Sequence, residues 1–337
     1  MHLKELLALR MVPNAGLYVS VTRRCPLACA HCSTNSSPHA RQQPDETLIL
    51  RFLSTFTPAV HPTVVALTGG EALLRPRLVE HILEQCHHTG ASVSLISGMF
   101  FAQRARISSS IRRILESVDH FTASIDTFHE ARVSRHHVFD VIHYMISLGK
   151  DVSIQATGHS GDDPYLLDLI KEVRDVFKER VPMLIETVQP IGRAKDWVPR
   201  SSTRQIMRPC FVASWPVIAF DGRIVACCNQ AVVDGLAHAP HLELGHIEDT
   251  TWVDIAGENR NRKMLQYIRT IGPEGISPNT NNGSICETCL GLDDLPKEAA
   301  SISPALIESV AATATQTAVY TTSDFQSLTE LGWEVAP

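Results

Sequence analysis

The stretch RRCPLACAHCS, residues 23–33, places Cys25, Cys29 and Cys32 within eight positions. It directly follows LYVSVT (17–22), whose β-branched and apolar residues read as a strand. Three thiols on a loop leaving a strand can be a structural clip, a zinc site or the seat of a reaction. Zinc sites complete four ligands, usually from two Cys knuckles or from Cys with His. A fourth ligand is missing locally here. Three thiolates on a four-iron four-sulfur cluster leave one iron open, which suits a reactive cluster better than one that only carries electrons.

Outward from this loop, strand-like and helix-like segments alternate to about residue 195. TVVALT (63–68) reads as a strand ending in Gly69-Gly70, and RPRLVEHILEQCHHTG (75–90) as a helix stopped by Gly90. SVSLIS, HFTASID, DVSIQATG and PMLIETVQPIG supply further strands, separated by helical runs. Six such units, each too short to have its own core, predict an α/β fold with a parallel sheet coated by helices over 17–197. Residues 1–16 stand as an N-terminal segment. From 205 to 295 the chain carries more Gly, Pro and Asn, five of its nine cysteines, and a hairpin, PVIAFDGRIVACC, turning at Asp221-Gly222. This predicts a second, smaller domain, followed by a helix and tail over 296–337.

Composition narrows the classes. A formal net charge of -6 without a run of Lys or Arg argues against nucleic acid. The N-terminal apolar patch is broken by Lys4, Glu5 and Arg10, unlike a signal peptide, and no stretch of about 18 apolar residues exists for a membrane span. A cytoplasmic protein with reduced thiols is expected, so an odd number of cysteines in two groups points to metal ligation over disulfides.

With Gly69-Gly70-Glu71 after the second strand added to the triad, the chain resembles the radical S-adenosylmethionine (SAM) superfamily over about 17–195. The resemblance implies a partial (β/α)6 TIM-like barrel. It also implies a four-iron cluster on Cys25, Cys29 and Cys32, with SAM on its open iron. Gly69, Gly70 and Glu71 would lie against the methionyl ammonium, and His31 near the adenine. Ser124, Asp126, Gln155, Gln189, Gly192 and Arg193, all at strand ends, would reach the ribose and adenine. The family's third strand often ends in Asn-Gly, where this chain has Ser97-Gly98. His129, Arg132 and Arg135 follow a strand end and are candidates to reach substrate.

Cys210, Cys227, Cys286 and Cys289 resemble the ligand set of the SPASM and twitch extensions of that superfamily, and imply one auxiliary four-iron cluster. A four-thiolate zinc satisfies the same set. Neighbours on a strand face opposite ways, so Cys228 is left packed as a small hydrophobe or exposed as a hydrogen-atom donor. The twitch resemblance favours oxidation of an alcohol on a small sugar, aminocyclitol or nucleoside, in the manner of 2-deoxy-scyllo-inosamine dehydrogenase-like enzymes. A flavodoxin or ferredoxin would be the reductant. The alternatives are an epimerase using Cys228, a peptide maturase forming a thioether or carbon crosslink, and a noncatalytic iron-sulfur electron carrier. Only 24 residues precede Cys25, which counts against a leader-binding domain and so against a peptide.

Overall fold

The computed structural model describes residues 1–104, 106–199, 209–277, 284–293, 295, 306 and 309. The helix and tail expected over 296–337 therefore lie outside the described residues, apart from Leu306 and Ser309.

Helix α1 (Leu3–Arg10) leads into β1 (Gly16–Ser20), and five strand and helix units follow. They are α2 (Glu46–Leu53), β2 (Val64–Thr68), α3 (Pro76–Thr89), β3 (Ser92–Ser97), α4 (Ser109–Ser117), β4 (His120–Ser124), α5 (Thr127–Glu130), α6 (Arg135–Ser147), β5 (Asp151–Gly158), α7 (Pro164–Phe177) and β6 (Met183–Thr187). All six strands pair in parallel in chain order, as six βα repeats require. Local chemistry sets the boundaries. Asp45 and Ser108 cap α2 and α4 with side-chain oxygens, Pro76 opens α3, and Gly90 closes it at φ +93°, where L side chains are strained.

The C-terminal region contributes β7 (Val217–Ile218), β8 (Arg223–Val225), α8 (Gln230–Val233), β9 (Glu243–His246), α9 (Trp252–Asn261), α10 (Lys263–Thr270), α11 (Gly272–Ile276) and α12 (Ile285–Leu290). The hairpin turns at Asp221-Gly222, with Gly222 at φ +91°. Its first strand pairs in parallel with β1, Tyr18 opposite Val217. The antiparallel strands β7, β8 and β9 thus extend the barrel sheet to nine strands.

The period of two separates the faces of the sheet. Leu17, Val19, Val65, Leu67, Val93, Leu95, Phe121, Ile154 and Ala156 are buried in the main core with the apolar residues of the surrounding helices. The alternate positions are largely polar, including Tyr18, Ser94, Thr122, Ser124, Ser153, Gln155 and Glu186. A closed barrel fills its interior with branched apolar side chains, whereas this inner face suits a polar guest. Its lower end is closed by α1, an element absent from the sequence reading. His2 and Glu5 form its capping box, and Leu6 and Leu9 pack with Val64, Ala66 and Trp215. Gly16 makes room, since a Cβ there would lie 2.3 Å from the Trp215 ring. No described helix is long and apolar enough to cross a membrane.

Candidate metal and cofactor site

The loop after β1 carries Cys25, Cys29 and Cys32, all half-buried, and none of the nine cysteines, each a described residue, forms a disulfide. Its shape is fixed by backbone bonds: Cys25 N–H to Ser37 O at 3.0 Å, Cys32 N–H to Cys29 O and Asn35 N–H to Cys32 O at 3.2 Å. The Ser36 N–H donates to Cys32 Sγ at 3.3 Å. A ligand thiolate needs that kind of support, because amide donors offset its charge. Burial pushes the Cys25 thiol up to about 12, so a metal entering the site must displace its proton.

The run after β6 grips this loop. The Arg193 guanidinium donates to the carbonyls of Cys29 and Ser36, and its backbone N–H to Cys32 O at 3.0 Å. Gly192 sits at φ +56°, and a Cβ there would come within 2.3 Å of Cys32 O. Trp197 Nε1 donates to Ala30 O at 3.1 Å. Gly192 and Arg193 thus shape the cysteine loop, with the guanidinium held by carbonyls. Gln189 is exposed and donates to Thr187, while Gln155 Nε2 donates to Glu186 at 2.8 Å.

Gly69 and Gly70 lie flush against the backbone entering the loop. A Cβ on Gly69 would meet Thr22 O at 2.6 Å, and one on Gly70 would meet Arg24 O at 2.4 Å. Only glycine permits this approach. Glu71 then turns inward, 1 % exposed. Its carboxylate accepts from Leu73 N–H at 3.2 Å, from Ser97 Oγ at 3.1 and 3.0 Å, and from Gly98 N–H at 3.1 Å. The Ser97-Gly98 pair therefore serves as the partner of Glu71. Burial dominates these bonds and raises Glu71 to about 7.

At the ends of β4 and β5 the side chains form a polar and aromatic wall beside the loop. Asp126, 1 % exposed, caps α5 through the N–H groups of Phe128 and His129. It lies 2.9 Å from His129 Nδ1 and 3.6 Å from His31 Nε2. Burial lowers His31 to about 4. For His129 burial acts the same way but is outweighed by the neighbouring Asp126 carboxylate and Cys29 sulfur, leaving it raised to about 10. The His31 ring stacks on Phe128 at 4.4 Å, and His159 and Trp197 lie 5.3 and 5.9 Å from Phe128. Sequence reasoning missed Phe128, His159 and Trp197, because only the fold gathers aromatics from three strand ends. Of the three basic residues expected near substrate, His129 joins the site. Arg132 is exposed, and Arg135 is held by Glu130, Asp168 and Glu172 with its guanidinium over Tyr165.

The second cysteine group also converges. Burial raises the thiols of Cys210, to about 11, and of Cys227 and Cys289, and neighbouring cysteines of the same group raise each further. Cys227 is half-buried and accepts the Asn229 N–H at 3.3 Å, the same support Cys32 has. Cys228 is exposed, with Arg10 and Glu186 among the charges acting on it. Soft sulfur donors in two sets of three and four, each with an amide donating to a ligand sulfur, fit iron-sulfur clusters.

Residues 19–173 match the Radical SAM superfamily. Over that segment the chain is similar to the radical SAM proteins. The matched segment spans β1 to α7 and contains both the cysteine triad and Gly69-Gly70-Glu71. YydG of Bacillus subtilis (strain 168), named for peptide biosynthesis, is 19% identical over 233 residues, covering 66% of this chain and 71% of its own. Among solved structures, native anSMEcpe with bound AdoMet superposes with a TM-score of 0.53 at 11% identity, covering 94% of this chain and 99% of that one. The same protein with AdoMet and the Cp18Cys peptide gives 0.52 at 12% identity over the same shares. The fold is thus that of radical SAM enzymes, a mostly parallel six-strand partial barrel with a C-terminal antiparallel hairpin region.

Proposed function

We propose that this chain is a radical SAM enzyme acting on a peptide, with Cys228 as the hydrogen donor that sets the outcome. The observation that carries the reading is the placement of Cys228. It is exposed next to the half-buried Cys227, and the charges acting on it include Cys286 of the same group, Arg10 from the helix closing the barrel and Glu186 from β6. The name of YydG and the peptide held by anSMEcpe support a peptide over the small alcohol expected from the sequence.

In this reading Cys25, Cys29 and Cys32 hold the SAM-binding cluster, and Cys210, Cys227, Cys286 and Cys289 an auxiliary one. When bound, the first cluster and SAM supply a 5'-deoxyadenosyl radical. The chain supplies position and exclusion of water. Arg193, Gly192 and Trp197 hold the cysteine loop in shape. The wall of His31, Phe128, His159 and Trp197 offers ring faces to the adenosyl group. The polar inner face would hold the peptide and present its Cα–H for abstraction. Cys228 returns its S–H hydrogen to the other face of that carbon, which inverts the centre without changing the peptide's composition. The sulfur radical left on Cys228 takes one electron and one proton from the external reductant.

The test incubates the reconstituted protein, SAM and reductant in D2O with a random peptide library and, separately, with 2-deoxy-scyllo-inosamine. The expected result is one non-exchangeable deuteron in selected peptides, lost in Cys228→Ala while 5'-deoxyadenosine still forms. Turnover stimulated by the aminocyclitol and by no peptide would restore alcohol oxidation.

A further inference from the structure

His241 is a buried histidine that no cysteine spacing points to. It lies in the short turn Pro240–Leu242 that leads into β9, and it is 8% exposed. Its Nε2 faces Cys289 Sγ at 3.9 Å, within reach of a sulfur hydrogen bond, while its Nδ1 is buried without a partner among the described residues. The backbone around it is pinned on both sides. Ala226 N–H donates to Leu242 O at 2.7 Å, one residue before Cys227, and Arg262 Nη1 donates to Pro240 O at 2.8 Å. The imidazole therefore stands between the hairpin that delivers Cys227 and the helix α12 that delivers Cys289.

The tautomer follows from these surroundings. A neutral ring carries one N–H, and a buried N–H without an acceptor is rarer and costlier than a buried lone pair without a donor. Among the described residues Nε2 faces the Cys289 sulfur, with the Cys289 backbone also beside the ring, and Nδ1 meets no hydrogen-bond partner. We infer that His241 donates its Nε2–H to the Cys289 thiolate of the auxiliary site and raises the reduction potential of the cluster held there. The inference rests on the auxiliary-cluster reading above. A donor on a ligand sulfur withdraws charge and favours the reduced state, one of the means by which proteins set such potentials. His241 is thus a positioning residue: it orients one ligand and tunes the group without contacting substrate.

The experiment uses the full chain with Cys25, Cys29 and Cys32 changed to Ala, so that only the auxiliary site is reconstituted, and compares it with the same protein carrying His241→Phe or His241→Asn. Iron and sulfide content, the midpoint potential and the hyperfine couplings of the reduced cluster are read. The expected result is full iron content in all three, a potential shifted to more negative values in the Phe protein, and partial recovery in the Asn protein. An exchangeable-proton coupling should also be lost in the Phe protein. An unchanged potential with iron present overturns the inference alone. Iron lost in the Phe protein, with a strong nitrogen coupling in its parent, makes His241 a ligand and overturns it too. A parent that binds no iron refutes the auxiliary-cluster reading, and the inference with it.

Discussion

Replacing Arg193 with Ala should loosen the cysteine loop from a distance of more than 150 positions in the chain. The guanidinium donates to the carbonyls of Cys29 and Ser36, the two ends of the turn that contains Cys32. A hydrogen bond to a charged group contributes about 1.5–3 kcal/mol net, and the carbonyls left behind are only partly resolvated in this half-buried setting. The combined loss is about 3 kcal/mol. Much of it falls on the ordered form of the loop, the form that presents three thiolates at once. A 3 kcal/mol loss of ordering corresponds to about a hundredfold faster cluster release. Anaerobic challenge of the reconstituted protein with a ferrous chelator measures that rate, and denaturant unfolding of the metal-free protein measures the stability change. Arg193→Lys, which keeps the charge but loses the fork, should fall between. An Ala variant that releases iron at the wild-type rate and unfolds at the wild-type midpoint would refute the clasp.

Two further substitutions test the packing around the site. Glu71 holds its proton up to about pH 7 in the folded protein against an ordinary value of 4.5, so between these values the native state keeps a proton that the unfolded chain has released. Stability should therefore fall as pH rises through that window, by about 3 kcal/mol in all. Glu71→Gln should remove that component of the slope in denaturant unfolding at pH 5 and 8, and an unaltered slope would contradict the assignment. Gly192→Ala combines a positive φ with a backbone clash at Cys32 O that no rotamer relieves. It should cost about 2 kcal/mol and lower iron uptake on reconstitution, and wild-type uptake would show that the approach is not tight.

Much of this architecture is written locally. β-branched runs, caps and the Gly90 stop are short-range signals, so β1 to β6 and their helices lie where the pattern places them. The triad and Gly69-Gly70-Glu71 are likewise visible in the sequence, since Cys25, Cys29 and Cys32 lie within eight positions and the two glycines directly follow β2. What was not legible depends on remote partners. Helix α1 has only eight residues, and its fit is decided by Trp215, about 200 positions away. The pairing of β7 with β1 leaves no trace in either strand. Glu71 shows the intermediate case: its motif is visible, but its partnership with Ser97 and Gly98 depends on adjacent strand ends. His241 carried no spacing signal, because a side chain that supports a ligand sulfur can come from any element that packs there.

The most direct test of the central claim is iron and sulfide content after anaerobic reconstitution, followed by a dithionite-plus-SAM assay for 5'-deoxyadenosine, on wild type and on Cys29→Ala. About eight irons are expected in the wild type and fewer in the variant, with deoxyadenosine from the wild type alone. Deoxyadenosine formed by Cys29→Ala, or none formed by a fully loaded wild type, would contradict it.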